Sequence, residues 1–227
     1  MRSSKYGKAF DIRHFPMDLG RLVCNIFKLA YRPKRLDARG ERYKGRIRGG
    51  AVMVSNHIAM LDPLALISTF LYRRVFFYAS EVVMGRGISS ALMRGMGCIK
   101  IDRNIADVEA IRTGCEIVKG GHILAIFAQG QIQRSGNFET FKAGGVLLAV
   151  KAGAPIIPVY LSQRKHWWER KIVVIGDPFD CKARCQKKFP SMQDIDKLTE
   201  ELLSEMKSLK AICESASGIK TENQANN

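Results

Sequence analysis

Short apolar runs recur along this chain, separated by stretches in which apolar residues return every third or fourth position. The runs at 51–55, 75–79, 98–101, 122–127, 156–161 and 171–175 have strand length and are rich in Val, Ile and Phe. Between them, helical spacing predicts helices over 63–72, 88–95, 105–119, 142–152 and 191–213. The last carries a clear stripe of Ile195, Leu198, Leu202, Leu203, Met206 and Leu209. Strands alternating with helices predict an α/β fold whose sheet is covered on both faces. Pro155 and Pro158 punctuate one of the apolar runs, and a proline cannot donate to a ladder, so that strand is expected at an edge or at a bulge.

The two ends of the chain differ from this pattern. Residues 17–31 place Leu19, Leu22, Val23, Ile26, Phe27, Leu29 and Ala30 at helical spacing with Arg21 and Lys28 between, and Pro33 stops the run. Such a basic amphipathic helix suits a bilayer interface, or packing on the domain. Lys34 to Gly40 reads as a charged connector, and residues 215–227, small and polar, as a frayed tail. The expected organisation is a basic N-terminal segment over 1–40, a single domain over 41–214 and a disordered tail over 215–227.

Composition narrows the function classes. At 227 residues and 46% apolar, the chain can bury a full core. No run approaches the roughly 18 uncharged apolar residues of a membrane-spanning helix, and the start has no apolar signal-like segment. The expected location is therefore peripheral, on the cytoplasmic face of a membrane. The net charge is +16, and residues 1–50 hold fourteen Lys or Arg against four Asp or Glu. That field attracts phosphate, whether on an anionic membrane surface, an acidic carrier protein or a nucleic acid. A nucleic-acid role has only the charge behind it, because no DNA-binding helix pair, zinc spacing or stacking-sheet signature is present. The six cysteines form no CxxC pair, and with no export signal they are expected to be reduced thiols; no metal site is expected.

Chemistry concentrates in Ser55-Asn56-His57-Ile58-Ala59-Met60-Leu61-Asp62-Pro63, which joins the strand at 51–55 to the helix that follows. Pro63 suits the first helical turn, which sets Asp62 at the N-cap. His57 is a candidate general base, since neutral imidazole accepts a proton near pH 7, and Asp62 is its candidate orienting partner. No serine or cysteine framed by a glycine elbow lies nearby, so His57 is expected to activate a substrate's own hydroxyl. Two further stretches look chemical. Gly97 to Asn104 is a short strand ending in Arg103, suited to gripping a phosphate. Phe127-Ala128-Gln129-Gly130-Gln131-Ile132-Gln133-Arg134 is a strand running into a glycine-containing loop, whose backbone N–H groups can face an oxyanion. Trp167-Trp168, flanked by basic residues, suits either a lipid interface or a packed turn.

The order of these stretches resembles the phospholipid/glycerol acyltransferase family. Asn56, His57 and Asp62 match its N-H-x-x-x-x-D motif, Gly97 to Arg103 its second motif, Phe127 to Gln133 its third (commonly F-P-E-G-T-R-S), and Ala154 to Val159 its fourth. Phe141-Lys142-Ala143-Gly144 and Ile175-Gly176-Asp177-Pro178 are also similar to the family. The resemblance covers roughly residues 40–180 and implies a central mixed, mostly parallel sheet flanked by helices. It implies transfer of a fatty acyl group from an acyl carrier protein or coenzyme A thioester to the hydroxyl of a lysophospholipid, with no cofactor. The acceptor it points to first is 1-acyl-glycerol-3-phosphate. His57 would be the base, oriented by Asp62; Asn56, Arg103, Gln129, Gly130 and Arg134 would bind substrate, with an oxyanion-stabilising N–H pair around Gly130. The third motif departs from the family, with Ala128 for proline, Gln129 for glutamate and Ile132 for a phosphate-binding arginine. Arg134 stands two residues on and can take over the anion, whereas Gln129 can position a hydroxyl but cannot act as a base. Those departures motivate an alternative reading, a catalytically weak or idle relative that binds anionic lipid or acyl carrier protein.

Overall fold

In a computed structural model, residues 15, 18–19, 33–80, 84–85, 87–95, 97–101, 108–130, 132–133, 141–164, 169–187 and 190–217 are described. The elements in order are β1 (Lys34–Asp37), β2 (Ala51–Ser55), α1 (Asp62–Thr69), β3 (Val75–Ser80), α2 (Ile88–Gly95), β4 (Cys98–Ile101), α3 (Val108–Lys119), β5 (Ile123–Phe127), α4 (Gly144–Ala152), β6 (Ile156–Leu161), β7 (Ile172–Ile175), α5 (Cys181–Cys185) and α6 (Met192–Ser217). The seven strands form one sheet in the order β1-β7-β6-β2-β5-β3-β4. Every pairing is parallel except β6 with β7. The expected mixed, mostly parallel α/β sheet is thus observed.

The apolar runs become central strands because a strand between two helical layers must be apolar on both faces. Val52, Val54, Leu124 and Ile156 pack with Ile117 of α3, Val146 and Leu148 of α4 and Ile195, Leu198 and Leu202 of α6. On the opposite face, Met53, Phe77, Ala125, Ile157 and Val159 pack with Leu66, Ile67 and the adjoining Phe70 of α1 and its C-terminal end. The later turns of α6 cover the β6–β7–β1 side through Met206, Leu209 and Cys213. Each fully buried aliphatic contributes about 1.5–3 kcal/mol of transfer free energy. The stripe read from the sequence of α6 is therefore its buried face, and the helix runs on to Ser217, beyond the expected start of fraying.

Two local expectations are corrected, and a third element is added. Lys34–Asp37 is not a connector but β1, an edge strand parallel to β7. Its only buried side chain is Leu36, so the sequence carries almost no apolar signal; the charged neighbours suit an exposed edge. Second, β6 holds Pro158 in the sheet interior, between β7 and β2. The Pro158 carbonyl accepts from Gly176 N–H at 2.8 Å, so that side of the residue faces past the end of β7, and the β6–β7 register begins only at Val159. The missing N–H therefore falls opposite Gly176, outside the paired stretch Val159–Leu161. Third, Cys181–Cys185 forms a short helix that periodicity could not reveal, capped by Asp180 accepting from Lys182 and Ala183 N–H.

Gly114 shows how tightly α3 is seated. A Cβ there would lie 2.2 Å from Tyr78 Oη, 2.5 Å from Leu148 Cδ1 and 2.8 Å from Leu124 Cδ2. Tyr78 Oη itself donates to the Ala110 carbonyl at 2.7 Å, which limits its retreat. Gly114→Ala is expected to cost about 1–3 kcal/mol by overpacking, despite the higher helix propensity of alanine, as read by urea unfolding.

Of the N-terminal helical segment expected over 17–31, only Asp18 and Leu19 are described, both helical, as is Phe15 before it; the rest lies outside the described residues. Asp18 ties this segment to the domain, accepting from Arg74 Nε at 3.0 Å and Arg74 Nη2 at 2.6 Å. Among the described residues, no helix is long and apolar enough to cross a membrane.

Candidate active site

The site forms where β2 ends, at the middle of the sheet. Ser55 is in register with Phe127, the last residue of β5, and with Val159 of β6, so the loop after β2 leaves between β5, which ends level with it, and β6, which runs on to Leu161. Ligands bind at such carboxyl ends in open α/β sheets. Asn56 fixes the departing loop. Its Nδ2 donates to the Leu161 carbonyl at 3.0 Å and its Oδ1 accepts from Leu161 N–H at 2.8 Å. Both ends of this amide are spent on β6, and the residue is buried. Asn56, expected to bind substrate, fastens the loop to the sheet.

Asp62 is likewise not the helix N-cap that the sequence suggests. Leu61 holds that position, without a side-chain cap bond, and Asp62 opens α1 with Pro63 behind it. Its carboxylate turns back onto the loop instead. Oδ2 accepts from Ile58 N–H at 2.7 Å and Ala59 N–H at 2.8 Å, and sits 3.0 Å from His57 Nδ1. Oδ1 is ion-paired with the Lys171 ammonium. Both charged side chains are buried, Asp62 to 0% and Lys171 to 2% exposure. Burial alone would raise the Asp62 carboxyl; the His57 hydrogen bond, the Lys171 ammonium and the Ala59 N–H together outweigh it and hold the carboxyl below its ordinary value. Burial depresses Lys171 in turn, against the pull of Asp62.

An ionised carboxylate can only accept, so the bond to Asp62 places the proton on His57 Nδ1. Nε2 then carries the lone pair, with no hydrogen-bond partner among the described residues. The ring is held flat against Phe127, with centroids 4.0 Å apart and planes 16° apart, and Phe77 continues the stack behind Phe127 at 6.2 Å. The ring is thus fixed by a bond at one nitrogen and an aromatic wall on one face, and its side chain is 15% exposed. This is the arrangement of a base whose tautomer and direction are set beforehand.

In the third stretch, residues 127–130 form a tight turn. Gly130 N–H donates to the Phe127 carbonyl at 2.9 Å, and Gly130 takes φ +70°, a conformation that favours glycine. Its own amide is therefore engaged within the turn. Gln133 N–H donates to the His57 carbonyl at 2.7 Å, which draws this residue onto the loop that bears His57. Gln129 lies in the same turn, partly buried. The exposed Lys142 side chain runs beside it, its Nζ 3.4 Å from where a Gly130 Cβ would stand. Met60 is 77% exposed, Leu61 44% and Ile132 43%, so apolar side chains project from the loops on both sides of His57.

Arg103, Arg134 and the Trp167-Trp168 pair lie outside the described residues. Lys171 was not anticipated as a site residue, because a lysine before an apolar strand reads as an ordinary strand end. Among the described residues no cluster of His, Cys, Asp and Glu is arranged to hold a metal ion. The described cysteines Cys98, Cys115, Cys181, Cys185 and Cys213 are free thiols.

The chain is 28% identical over 132 residues to the 1-acyl-sn-glycerol-3-phosphate acyltransferase of Borreliella burgdorferi, covering 56% of this chain and 51% of the relative. It is 31% identical over 113 residues to a probable 1-acyl-sn-glycerol-3-phosphate acyltransferase of Mycoplasma genitalium, covering 48% and 42%. The chain thus spans about half the length of the curated relatives it matches. The crystal structure of the 1-acyl-sn-glycerophosphate acyltransferase of Thermotoga maritima superposes with a TM-score of 0.59 at 18% identity, covering 88% of this chain and 80% of that one, and so shares its fold. The Acyltransferase family model matches residues 34–162, from β1 to the residue after β6, and includes both His57 and Asp62; the chain belongs to the Acyltransferase family.

Proposed function

We propose that this protein transfers a fatty acyl group from an acyl thioester to the free hydroxyl of lysophosphatidic acid, giving phosphatidic acid. The observation that carries this reading is His57, with its proton held on Nδ1 by Asp62 and its Nε2 unpartnered among the described residues at the carboxyl end of β2. Nε2 takes the proton of the acceptor hydroxyl as the oxygen attacks the thioester carbonyl. The tetrahedral intermediate collapses with cleavage of the C–S bond, and the imidazolium returns the proton to the departing thiolate. One acyl bond replaces another, so the step needs no redox cofactor. Asp62 stays ionised throughout and steadies the imidazolium. Lys142, beside the Gly130 turn, supplies a cation to the acceptor phosphate, and Arg103 and Arg134 of the neighbouring motifs have the chemistry to join it. The acyl carrier is a carrier protein or coenzyme A, both of which bring negative charge toward a protein of net charge +16.

The acceptor lies in a membrane, and the projecting Met60, Leu61 and Ile132 suit a mouth that meets lipid. Burying one such side chain is worth about 1.5–3 kcal/mol, or roughly tenfold and upward in binding. Met60→Glu is accordingly expected to slow transfer to acceptor in anionic vesicles about tenfold while leaving a soluble short-chain acceptor within twofold. An equal loss on both acceptors would remove the interfacial role.

The test of the function itself is transfer from a radiolabelled acyl thioester to lysophosphatidic acid, with carrier-protein and coenzyme A donors compared. Labelled phosphatidic acid is the expected product. Product only with another lysolipid would keep the reaction and replace the acceptor. No product with any donor and acceptor would leave the protein as a binder of anionic lipid or carrier.

A further inference from the structure

We infer that Lys171 is a positioning residue of the active site, which shares Asp62 with His57 and sets the pH at which the His57–Asp62 pair takes up a proton. Its place in the fold is fixed. β7 runs antiparallel to β6, so the start of β7 lies at the sheet edge where β2 and β6 end. Lys171 immediately precedes β7, and its backbone is pinned by Lys34 N–H donating to its carbonyl at 2.8 Å. The next residue exchanges bonds with Ser162, through Ile172 N–H to Ser162 Oγ at 2.8 Å and Ser162 N–H to the Ile172 carbonyl at 2.9 Å. The side chain is thus delivered from an ordered edge into the space behind the loop that bears His57.

The division of Asp62 gives the lysine its effect. Among the described residues, Oδ2 serves His57 and the two loop amides, while Oδ1 serves Lys171. A buried carboxylate that faced only an imidazole would hold that imidazole's proton tightly, and a strongly held proton makes a poor base near neutrality. The ammonium on the far oxygen offsets that charge and so weakens the hold of the carboxylate on a proton. The other groups bearing on Lys171 are Arg164, from the segment after β6, and the Cys213 thiol of α6. Burial pushes the Cys213 thiol up to about 12, so it is neutral in the working range. The positive charge of Arg164 opposes that of Lys171.

The catalytic consequence rests on His57 being the base; the effect on proton uptake does not. The test therefore pairs two readouts, the pH dependence of kcat/KM and the titration of the His57 ring by NMR, assigned by its absence in His57→Ala. Lys171→Gln keeps a hydrogen-bond donor to Oδ1 and removes the charge. It is expected to raise the pH of proton uptake by about one unit or more in both readouts, as loss of a neighbouring opposite charge does for a titrating pair. Rates should recover at alkaline pH, and Lys171→Arg should restore the wild-type profile. A Lys171→Gln titration that superimposes on wild type would overturn the proposal, whatever the loss in kcat. Should wild type transfer no acyl group, the base assignment fails while the NMR titration still decides on Lys171. If Lys171→Gln does not fold, Asp62→Asn/Lys171→Met is compared with Asp62→Asn: equal or greater stability of the double variant supports the pairing, and a further loss overturns it.

Discussion

Replacing His57 by alanine is expected to lower acyl transfer by about 10³-fold or more, the range that a positioned general base supplies. Among the described residues, the ring meets the protein through a hydrogen bond to Asp62 and a stacked face on Phe127. Neither holds the fold together: Asp62 keeps its two loop amides and Lys171, and Phe127 keeps Phe77. Unfolding midpoints of the variant should therefore stay close to wild type while kcat collapses. Acceptor KM should change little, since Nε2 contributes to the transition state rather than to holding the phosphate. The check is a single-turnover assay with enzyme in excess over labelled thioester, which separates the chemical step from product release. Equal single-turnover rates in wild type and variant would remove His57 from the mechanism.

The legible parts of this protein are those whose cause is local. β2, the turn after it and α1 follow from an apolar run, a polar loop and a proline within twenty residues, and His57 and Asp62 meet because only four residues separate them. What the carboxylate does beyond that is not local. Its second partner, Lys171, is 109 residues away, and the strand that secures Asn56 is 105 residues away. Such pairings depend on strand order, in which β6 lies beside β2 and β7 beside β6, and periodicity does not report strand order. The same limit explains β1 and Pro158. β1 is a strand because β7 offers it a partner, with Leu36 alone turned inward; Pro158 is tolerated centrally because β7 is short. The Asp62 N-cap reading failed for a different reason. An aspartate before a helix can accept from the helix amides ahead or from the loop amides behind, and the competing donors here, Ile58, Ala59, His57 and Lys171, all lie on the loop and sheet side. Motif order identified the family, but the orientation of each motif residue came from contacts that span the chain.

Asp62→Asn is expected to damage both activity and folding, and the two losses have separate origins. An amide cannot stabilise the imidazolium by charge, and it presents an NH2 group to partners that are themselves donors, so the tautomer that leaves Nε2 free is no longer enforced. A fall in kcat of about 10³–10⁴-fold is expected. Stability falls because the Lys171 ammonium is left buried without its counter-charge, a situation that typically costs about 3–5 kcal/mol. The pH dependence tells this apart from simple loss of packing. The folded-state pKa of Asp62 is depressed, so the stability it contributes is fully present above its unfolded value of about 3.9 and is lost as pH falls through the folded value. The gap between wild type and Asp62→Asn should therefore be widest near neutrality and narrow as pH drops below about 4, where the wild-type carboxyl also loses its charge. It should narrow again on the alkaline side, as the unpaired Lys171 of the variant sheds its proton. Urea unfolding from pH 3 to pH 9 measures both arms. A gap that stays constant across that range would mean that Asp62 holds the loop by shape and hydrogen bonding alone, with no energetic use of its charge.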